Sequence, residues 1–126
     1  MNNKKYHQNQ LVVDDEEDLC NILNKFFSRV GHIVKTVGNG AEAIKLAKKE
    51  DFDIVICDLI MPDVTGYDVI EALNDLDKVP KIGVSTGLRE NLTSAEENAL
   101  KIDSIIKKPF KLLELASKIN ALFDDG

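Results

Sequence analysis

Residues 54–58 read Ile-Val-Ile-Cys-Asp, a short apolar run that ends in a carboxylate. A strand that is apolar along its length is typical of a parallel sheet whose two faces are both covered. Two more runs end in charge: residues 11–15 read Leu-Val-Val-Asp-Asp, and residues 104–108 read Ser-Ile-Ile-Lys-Lys. If all three runs are parallel strands, their charged ends gather at one edge of one sheet, where open α/β folds place their sites.

The sequence around these runs alternates between strand and helix patterns. The predicted strands cover 11–13, 33–37, 53–57, 81–85 and 104–106. Between and after them, apolar residues recur at intervals of three and four, which predicts amphipathic helices, the weakest of them at 91–100. Strands joined by helix-length crossovers form a parallel sheet with helices on both faces. We therefore predict a single doubly wound (βα)5 domain of the α/β class.

The alternation alone does not fix the order of the strands. The flavodoxin-like order 2-1-3-4-5 is the common choice for a parallel five-stranded sheet, and its switch point lies between strands 1 and 3. These are the strands that end in Asp14, Asp15 and Asp58.

Length and composition favour one globular domain. The chain has 126 residues, of which 44% are hydrophobic and 30% are charged, and this length can bury a sizeable core. We expect a flexible N-terminal tail at 1–9 and the folded domain at 10–126. The formal net charge of −6 disfavours direct binding of nucleic acid, which normally needs a basic surface. No apolar stretch is long enough for a transmembrane helix, so we expect no membrane insertion.

The cysteines and histidines show no spacing typical of a zinc site. Cys20 and Cys57 both lie in apolar sequence. We expect them to be buried free thiols in a reducing cytosol, and hence a cytoplasmic location. His7 and His32 are isolated in the sequence, and we expect them in the tail or on the surface.

Asp14, Asp15 and Asp58, called the acid cluster below, would lie close together at the switch point. Like charges at short distance repel one another unless a cation binds between them. Carboxylate oxygens suit Mg²⁺, or Mn²⁺, and Mg²⁺ is usually held by one or two carboxylates together with water and a phosphate oxygen. The acid cluster therefore suits a divalent metal and a phosphate.

Residues at the neighbouring strand ends suit phosphoryl chemistry. Lys108 follows the fifth strand and could pair with a phosphoryl group. Thr86, at the end of the fourth strand, offers a hydroxyl to the same anion, and Gly87 leaves room for a ligand. Asp58 is the best nucleophile, because its strand is central and carboxylates form aspartyl-phosphates in known reactions.

Each of these residues also has an ordinary structural explanation. Asp15 could accept the first amides of a helix, Asp58 could belong to a turn, and Lys108 could be a solvated lysine. We interpret Glu16 as a helix-start charge rather than a metal ligand. The joint occurrence of these residues at successive strand ends favours the functional interpretation.

These segments resemble the receiver domain of two-component response regulators, from about residue 10 to residue 123. The resemblance rests on 11–16, 58–63, Gly66, 85–87 and 108–110, in this order. It implies that Asp58 accepts a phosphoryl group from a histidine kinase or a histidine phosphotransfer protein, and that the surface formed by 88–123 switches in response. Such a domain promotes its own phosphorylation and dephosphorylation, and it is a signalling switch rather than a turnover enzyme.

The resemblance also implies the composition of the site. Mg²⁺ would be held by Asp14, Asp15, Asp58 and the backbone carbonyl of Ile60. The phosphoryl oxygens would be bound by Thr86 and Lys108. A cis peptide bond would join Lys108 to Pro109.

Two features depart from the family pattern. Ile105 lies three positions before the lysine, where the family usually has an aromatic residue, so we do not expect a rotating aromatic switch. Ile60 and Leu88 occupy positions that tune the lifetime of the aspartyl-phosphate in the family. Because both side chains are apolar, we predict slow self-hydrolysis.

Three other functions are alternatives that the sequence supports less well. An interaction module of the same fold could act independently of phosphorylation. A flavodoxin-type flavin carrier would need a hydroxyl- and glycine-rich loop after the first strand, where residues 14–18 are all acidic. An aspartate-based phosphohydrolase would need a second aspartate two residues after its nucleophile, where Ile60 stands.

Overall fold

The computed structural model describes residues 7–61, 63–87 and 92–123. Within them, strands and helices alternate in the order β1 (Asn9–Val13), α1 (Glu17–Arg29), β2 (Ile33–Val37), α2 (Gly40–Lys49), β3 (Ile54–Asp58), α3 (Gly66–Asn74), β4 (Lys81–Thr86), α4 (Ser94–Leu100), β5 (Ser104–Lys107) and α5 (Leu112–Leu122). No helix in this described part of the chain is both long and apolar enough to cross a lipid bilayer.

The strands form one five-stranded sheet in the order β2-β1-β3-β4-β5. Every pair of neighbouring strands is parallel. In the register of the sheet, Val13 lies opposite Cys57, and Asp58 lies opposite Ser85. The predicted doubly wound fold and its strand order are therefore confirmed, and the carboxyl ends of the strands share one edge.

The core consists of two layers, one on each face of the sheet. Alternate residues of β1 face opposite layers, so that Leu11 and Val13 pack with residues of α2 and α3 while Val12 packs with residues of α1 and α5. Every residue of β3 is buried. This explains why the β3 sequence is apolar until its last residue, because neither face of the central strand meets solvent.

Local signals at the helix ends fix where the crossovers begin and end. The Asn39 side chain caps α2 by accepting a hydrogen bond from the Glu42 amide at 2.9 Å. Thr65 and Thr93 each form a capping box at the start of α3 and α4. Gly31 follows α1 with a φ of 101°, a left-handed conformation that glycine adopts without strain.

Two expectations near the N-terminus need correction. Residues 1–6 of the predicted tail lie outside the described residues, but Gln8 is buried and Asn9 already belongs to β1. His32 is buried rather than on the surface. Its buried Nδ1 is satisfied by a hydrogen bond from the Gln8 amide at 3.0 Å. Burial, followed by the charge of His7, lowers the pKa of His32. Because residues 7–10 are polar, the sequence did not indicate that this segment packs into the fold.

The two cysteines are buried and free, as predicted. Burial raises the pKa of Cys20 to about 11 and that of Cys57 to about 12, and nearby aspartate charges add to both shifts. Both thiols therefore stay protonated at neutral pH. Each donates a hydrogen bond to a backbone carbonyl next to the acid cluster, Cys20 to Asp14 and Cys57 to Asp58, both at 3.3 Å.

Candidate functional site

The carboxyl edge of the sheet brings the predicted acid cluster together. Asp14 and Asp15 follow β1, and Asp58 ends β3. One carboxylate oxygen from each residue lies within 4.8 Å of the others. Asp14 and Asp58 are buried, whereas Asp15 is exposed. The central position of β1 and β3 in the sheet produces this arrangement.

The donor set of the acid cluster fits a divalent cation. All the donors are carboxylate oxygens, which Mg²⁺ and Mn²⁺ prefer over softer ligands. Two of the three carboxylates are nearly removed from solvent, so that their mutual repulsion is weakly screened. A bound cation would neutralise this repulsion.

Lys108 supplies a positive charge to the acid cluster. Its Nζ donates a hydrogen bond to Asp14 Oδ2 at 2.8 Å and lies 3.6 Å from Asp58 Oδ2. Burial alone would lower the pKa of Lys108. The hydrogen bond and charge of Asp14, the hydrogen bond to Glu16 and the charge of Asp58 outweigh burial and raise the pKa. The ammonium therefore stays charged at all physiological pH values.

The backbone around Lys108 ties it to the end of β4. The Lys108 amide donates a hydrogen bond to the carbonyl oxygen of Thr86 at 2.7 Å. The peptide bond between Lys108 and Pro109 is cis, as the family resemblance implied. A cavity of about 390 Å³ opens beside the lysine, lined by Glu16, Leu19, Gly87, Lys108, Pro109 and Phe110.

Thr86 ends β4 with a buried hydroxyl. Its side chain is 1% exposed, and Oγ1 makes no hydrogen bond within the part of the chain that is described. A buried hydroxyl without a partner costs roughly 1–3 kcal/mol of stability. Such a cost is expected where a side chain is kept for a ligand rather than for the fold.

Comparison with known proteins decides the family. The family model described as the response regulator receiver domain matches residues 11–120. This chain belongs to that family. Its function is therefore that of a receiver domain, a phospho-accepting module of two-component signalling.

Relatives of this receiver domain include a longer protein and two solved structures. The response regulator SaeR of Staphylococcus epidermidis is 38% identical over 113 residues, which cover 89% of this chain and 48% of that protein. The chain thus spans about half the length of the curated relatives it matches.

The solved structures share the fold at low sequence identity. A CheY-like receiver domain protein from Methanospirillum hungatei has a TM-score of 0.79 at 24% identity, covering 91% of this chain and 93% of that chain. A CheY-like receiver domain from Methylobacillus flagellatus has a TM-score of 0.82 at 23% identity, covering 94% and 99%. At these identities the likeness supports the fold alone.

The receiver domain departs from its family pattern at β5. Ile105, which stands where an aromatic residue is usual, lies opposite Val84 in the sheet. Its carbonyl oxygen accepts a hydrogen bond from Lys118 Nζ of α5 at 2.8 Å. The link between β5 and α5 at this position is therefore a hydrogen bond to the backbone.

The positions expected to tune the phosphoryl lifetime are only partly described. The side chain of Ile60 is 53% exposed, and the expected role of its carbonyl as a metal ligand stays a prediction. Leu88 lies outside the described residues. The slow self-hydrolysis expected from these two positions stays a prediction.

Sequence reasoning missed the role of Glu16 in the receiver domain. The expectation that Asp15 could cap α1 is wrong, because the N-cap residue is Glu16. The carboxylate of Glu16 contacts Lys108 Nζ at 3.1 Å. The available signal was that glutamate is not among the residues preferred at an N-cap.

Gly66 was noted only as part of a motif, and the structure gives it a physical reason. A Cβ atom at this position would overlap the carbonyl oxygen of Asp58 and lie 2.6 Å from Leu59 Cα. The Gly66 amide also donates a hydrogen bond to the Leu59 carbonyl at 2.9 Å. The start of α3 therefore packs directly on the backbone that carries Asp58.

Proposed function

We propose that Asp58 is the phosphoacceptor of this receiver domain. The observation that carries the proposal is the meeting of the acid cluster and Lys108 at one edge of the sheet, with carboxylate oxygens within 4.8 Å of one another and Lys108 Nζ 3.6 Å from Asp58 Oδ2. The donor is a sensor histidine kinase or a histidine phosphotransfer protein, the partners that the family uses.

Mg²⁺, or Mn²⁺ in its place, is the proposed cofactor. Asp14, Asp15, Asp58 and the backbone carbonyl of Ile60 would hold it. When bound, the cation neutralises the charge of the carboxylates and of the phosphoryl oxygens in transit. The close approach of three carboxylates supports this assignment, because their repulsion is relieved by a cation.

The protein groups then have distinct tasks in the transfer. A carboxylate oxygen of Asp58 forms a bond to phosphorus while the bond from phosphorus to the donor nitrogen breaks. Lys108 and the hydroxyl of Thr86 stabilise the charge that arrives on the phosphoryl oxygens, which amounts to roughly two negative charges. Phosphoryl transfer needs such positioning and neutralisation more than covalent machinery.

The consequence of phosphorylation is a change of surface rather than turnover of a substrate. Thr86 ends β4, and α4 is the next element along the chain, so that a shift of Thr86 toward the phosphoryl group would be passed along the chain toward α4. We propose that the surface formed by 88–123 changes in this way. The domain would act as a switch that promotes its own phosphorylation and dephosphorylation.

The remaining expectations concern the setting of the domain. We propose that residues 10–126 act as the receiver unit in the cytoplasm, with no direct contact to nucleic acid and no insertion into a membrane. The net charge of −6 supports the absence of a nucleic-acid surface.

Labelling with acetyl phosphate tests the phosphoacceptor. We expect the chain to gain one phosphoryl group in the presence of Mg²⁺ and none after chelation, as measured by intact-mass spectrometry. Asp58→Asn should abolish labelling. Asp63→Asn is the matched control, because Asp63 is close in sequence but exposed, and it should label normally.

Two outcomes would contradict the proposal. Labelling of Asp58→Asn at the normal rate would assign the phosphoacceptor to another residue. A folded wild-type chain that binds Mg²⁺ but takes no phosphoryl group would favour an interaction module that acts independently of phosphorylation.

A further inference from the structure

Glu16 contacts Lys108 in a way that helix capping does not explain. Its Oε1 lies 3.1 Å from Lys108 Nζ, although the Glu16 side chain is 62% exposed. Glu16 is the N-cap residue of α1, yet its side chain makes no capping hydrogen bond. The Glu16 carboxylate therefore contacts the ammonium of Lys108 and does not cap the amides of α1.

The contact closes a ring of hydrogen bonds around Asp14. One oxygen, Asp14 Oδ1, accepts a hydrogen bond from the Glu16 amide at 2.9 Å. The other, Asp14 Oδ2, accepts one from Lys108 Nζ at 2.8 Å. Asp58 Oδ2 lies farther from the ammonium, at 3.6 Å. The ring thus holds the ammonium closer to Asp14 than to Asp58, the proposed phosphoacceptor.

We propose that Glu16 is a positioning residue that competes with the phosphoryl group on Asp58 for the ammonium of Lys108. The inference rests on the proposed function, because it takes Lys108 as the residue that binds the phosphoryl oxygens. In the ring, Glu16 and Asp14 share the ammonium. During phosphorylation, Lys108 must leave both carboxylates and turn to the phosphoryl oxygens.

The same contact affects the metal side of the cluster. When Asp14 gives an oxygen to a divalent cation, Lys108 must release that oxygen. Glu16 then offers the released ammonium a partner of opposite charge. Glu16 therefore favours metal binding at Asp14 while it disfavours the movement of Lys108 toward Asp58. Removing the contact should move the two measurable properties in opposite directions.

Glu16→Gln tests the proposal in the intact chain. We expect the rate of phosphorylation by acetyl phosphate at saturating Mg²⁺ to rise about two- to fivefold, the range that an exposed ion pair supports. We expect the Mg²⁺ affinity, measured by isothermal titration calorimetry, to fall by a similar factor. Because Glu16 is exposed, the variant should fold normally, which circular dichroism checks.

Two further variants separate the contact from its charge. Glu16→Asp keeps the charge but shortens the side chain by one methylene group, so that it cannot reach Lys108, and it should behave like Glu16→Gln. Glu17→Gln removes the neighbouring charge, which lines an opening beside Asp14 and Asp15, and leaves the contact between Glu16 and Lys108 in place. It should change both properties clearly less than Glu16→Gln does.

The outcomes distinguish this inference from the proposed function. Glu16→Asp with wild-type rate and Mg²⁺ affinity would overturn the inference, because charge alone would then suffice. Equal effects of Glu17→Gln and Glu16→Gln would overturn it as well. If the wild-type chain takes no phosphoryl group, the proposed function fails, and the Mg²⁺ affinities of the same variants still decide whether the contact positions Lys108.

Discussion

Polar residues that directly precede a strand and those at or just after the carboxyl end of one have opposite environments in this receiver domain. Four polar residues stand immediately before strands, namely Gln8, His32, Asp53 and Asp103. Three of them accept a hydrogen bond from a backbone amide at or near the start of a neighbouring strand. The pairs are Asp53 with Asn9 at 2.7 Å, Asp103 with Ile82 at 2.8 Å, and His32 with Gln8 at 3.0 Å. These polar groups hold neighbouring strands together at the amino edge of the sheet.

The polar residues at the carboxyl edge, which end the strands or directly follow them, do not serve the fold in this way. The acid cluster brings like charges together, and Thr86 Oγ1 is buried without a partner in the described residues. Both features cost stability. The comparison teaches that one edge of the sheet carries polar stabilisation, while the other keeps polar groups available for a ligand.

The largest expected effect comes from Gly66, because its packing affects both the stability of the fold and the backbone that carries Asp58. Gly66→Ala places a Cβ against the backbone of Asp58 and Leu59, so we expect a loss of about 2–3 kcal/mol in the free energy of unfolding. Phosphorylation by acetyl phosphate should slow as well, because the backbone of Asp58 must shift. Urea unfolding and mass spectrometry measure the two effects.

Gly38 provides the matched control for this substitution. A Cβ at Gly38 would meet no atom within 4 Å, so that Gly38→Ala should leave both stability and phosphorylation close to wild type. Equal effects of the two substitutions would show that the packing of Gly66 on Asp58 does not matter.

The next prediction compares the free energy of unfolding of two variants, Asp103→Ala at the amino edge and Asp58→Ala at the carboxyl edge. Asp103→Ala leaves the amide of the fully buried Ile82 without its side-chain partner, and we expect it to lower the free energy of unfolding by roughly 1–3 kcal/mol. Phosphorylation should continue. Asp58→Ala removes one of several like charges, so the free energy of unfolding should stay constant or rise. Equal losses in the two variants would remove the distinction between the edges.

The carboxyl edge could be predicted from the sequence, whereas the amino edge could not. An apolar run that ends in charge is unusual enough to indicate a site, as at Asp58, and the strand order then brings such ends together. A polar residue before a strand has no such signal. Asp103 and His32 find their partners on segments distant in the chain, and only the completed sheet shows which amide each one faces.

The contacts of Glu16 and Ile105 could not be predicted from the sequence. The contact from Glu16 to Lys108 joins residues that are 92 positions apart. It depends on the direction of the Glu16 side chain, which the sequence alone indicates only as a charge at the start of α1. The hydrogen bond from Lys118 to Ile105 is accepted by a backbone carbonyl, and every residue has such a group, so the sequence does not indicate which one is used. Contacts of this kind follow from packing and not from residue type.

His32 gives the amino edge a dependence on pH. Because the pKa of His32 is lowered in the folded state, the folded chain favours the neutral imidazole. Its Nδ1 accepts a hydrogen bond from the Gln8 amide. The stabilisation is complete above the ordinary histidine pKa of about 6.5 and is lost as the pH falls toward the lowered value. Thermal unfolding should therefore show a melting temperature that declines below about pH 6.5.

Two substitutions assign this decline to the buried histidine. His32→Gln should remove the part of the decline that belongs to this group, while lowering stability at neutral pH. His7→Gln should make the decline shallower, because the charge of His7 contributes to the lowered pKa of His32. An unchanged pH profile in His32→Gln would mean that other groups cause it.

The smallest expected effect lies between the two edges, at the contact of α5 with β5. Lys118→Met keeps the apolar stem of the side chain but removes the donor to the Ile105 carbonyl, so we expect a loss of about 0.5–1.5 kcal/mol in the free energy of unfolding. Hydrogen exchange of the β5 amides should quicken. Lys111→Met is the control, because Lys111 is an exposed lysine at the start of α5, and it should leave β5 exchange unchanged. If both variants change exchange equally, the bond to Ile105 does not hold β5. If only Lys118→Met does, the hydrogen bond from Lys118 to the Ile105 carbonyl stabilises β5 against α5.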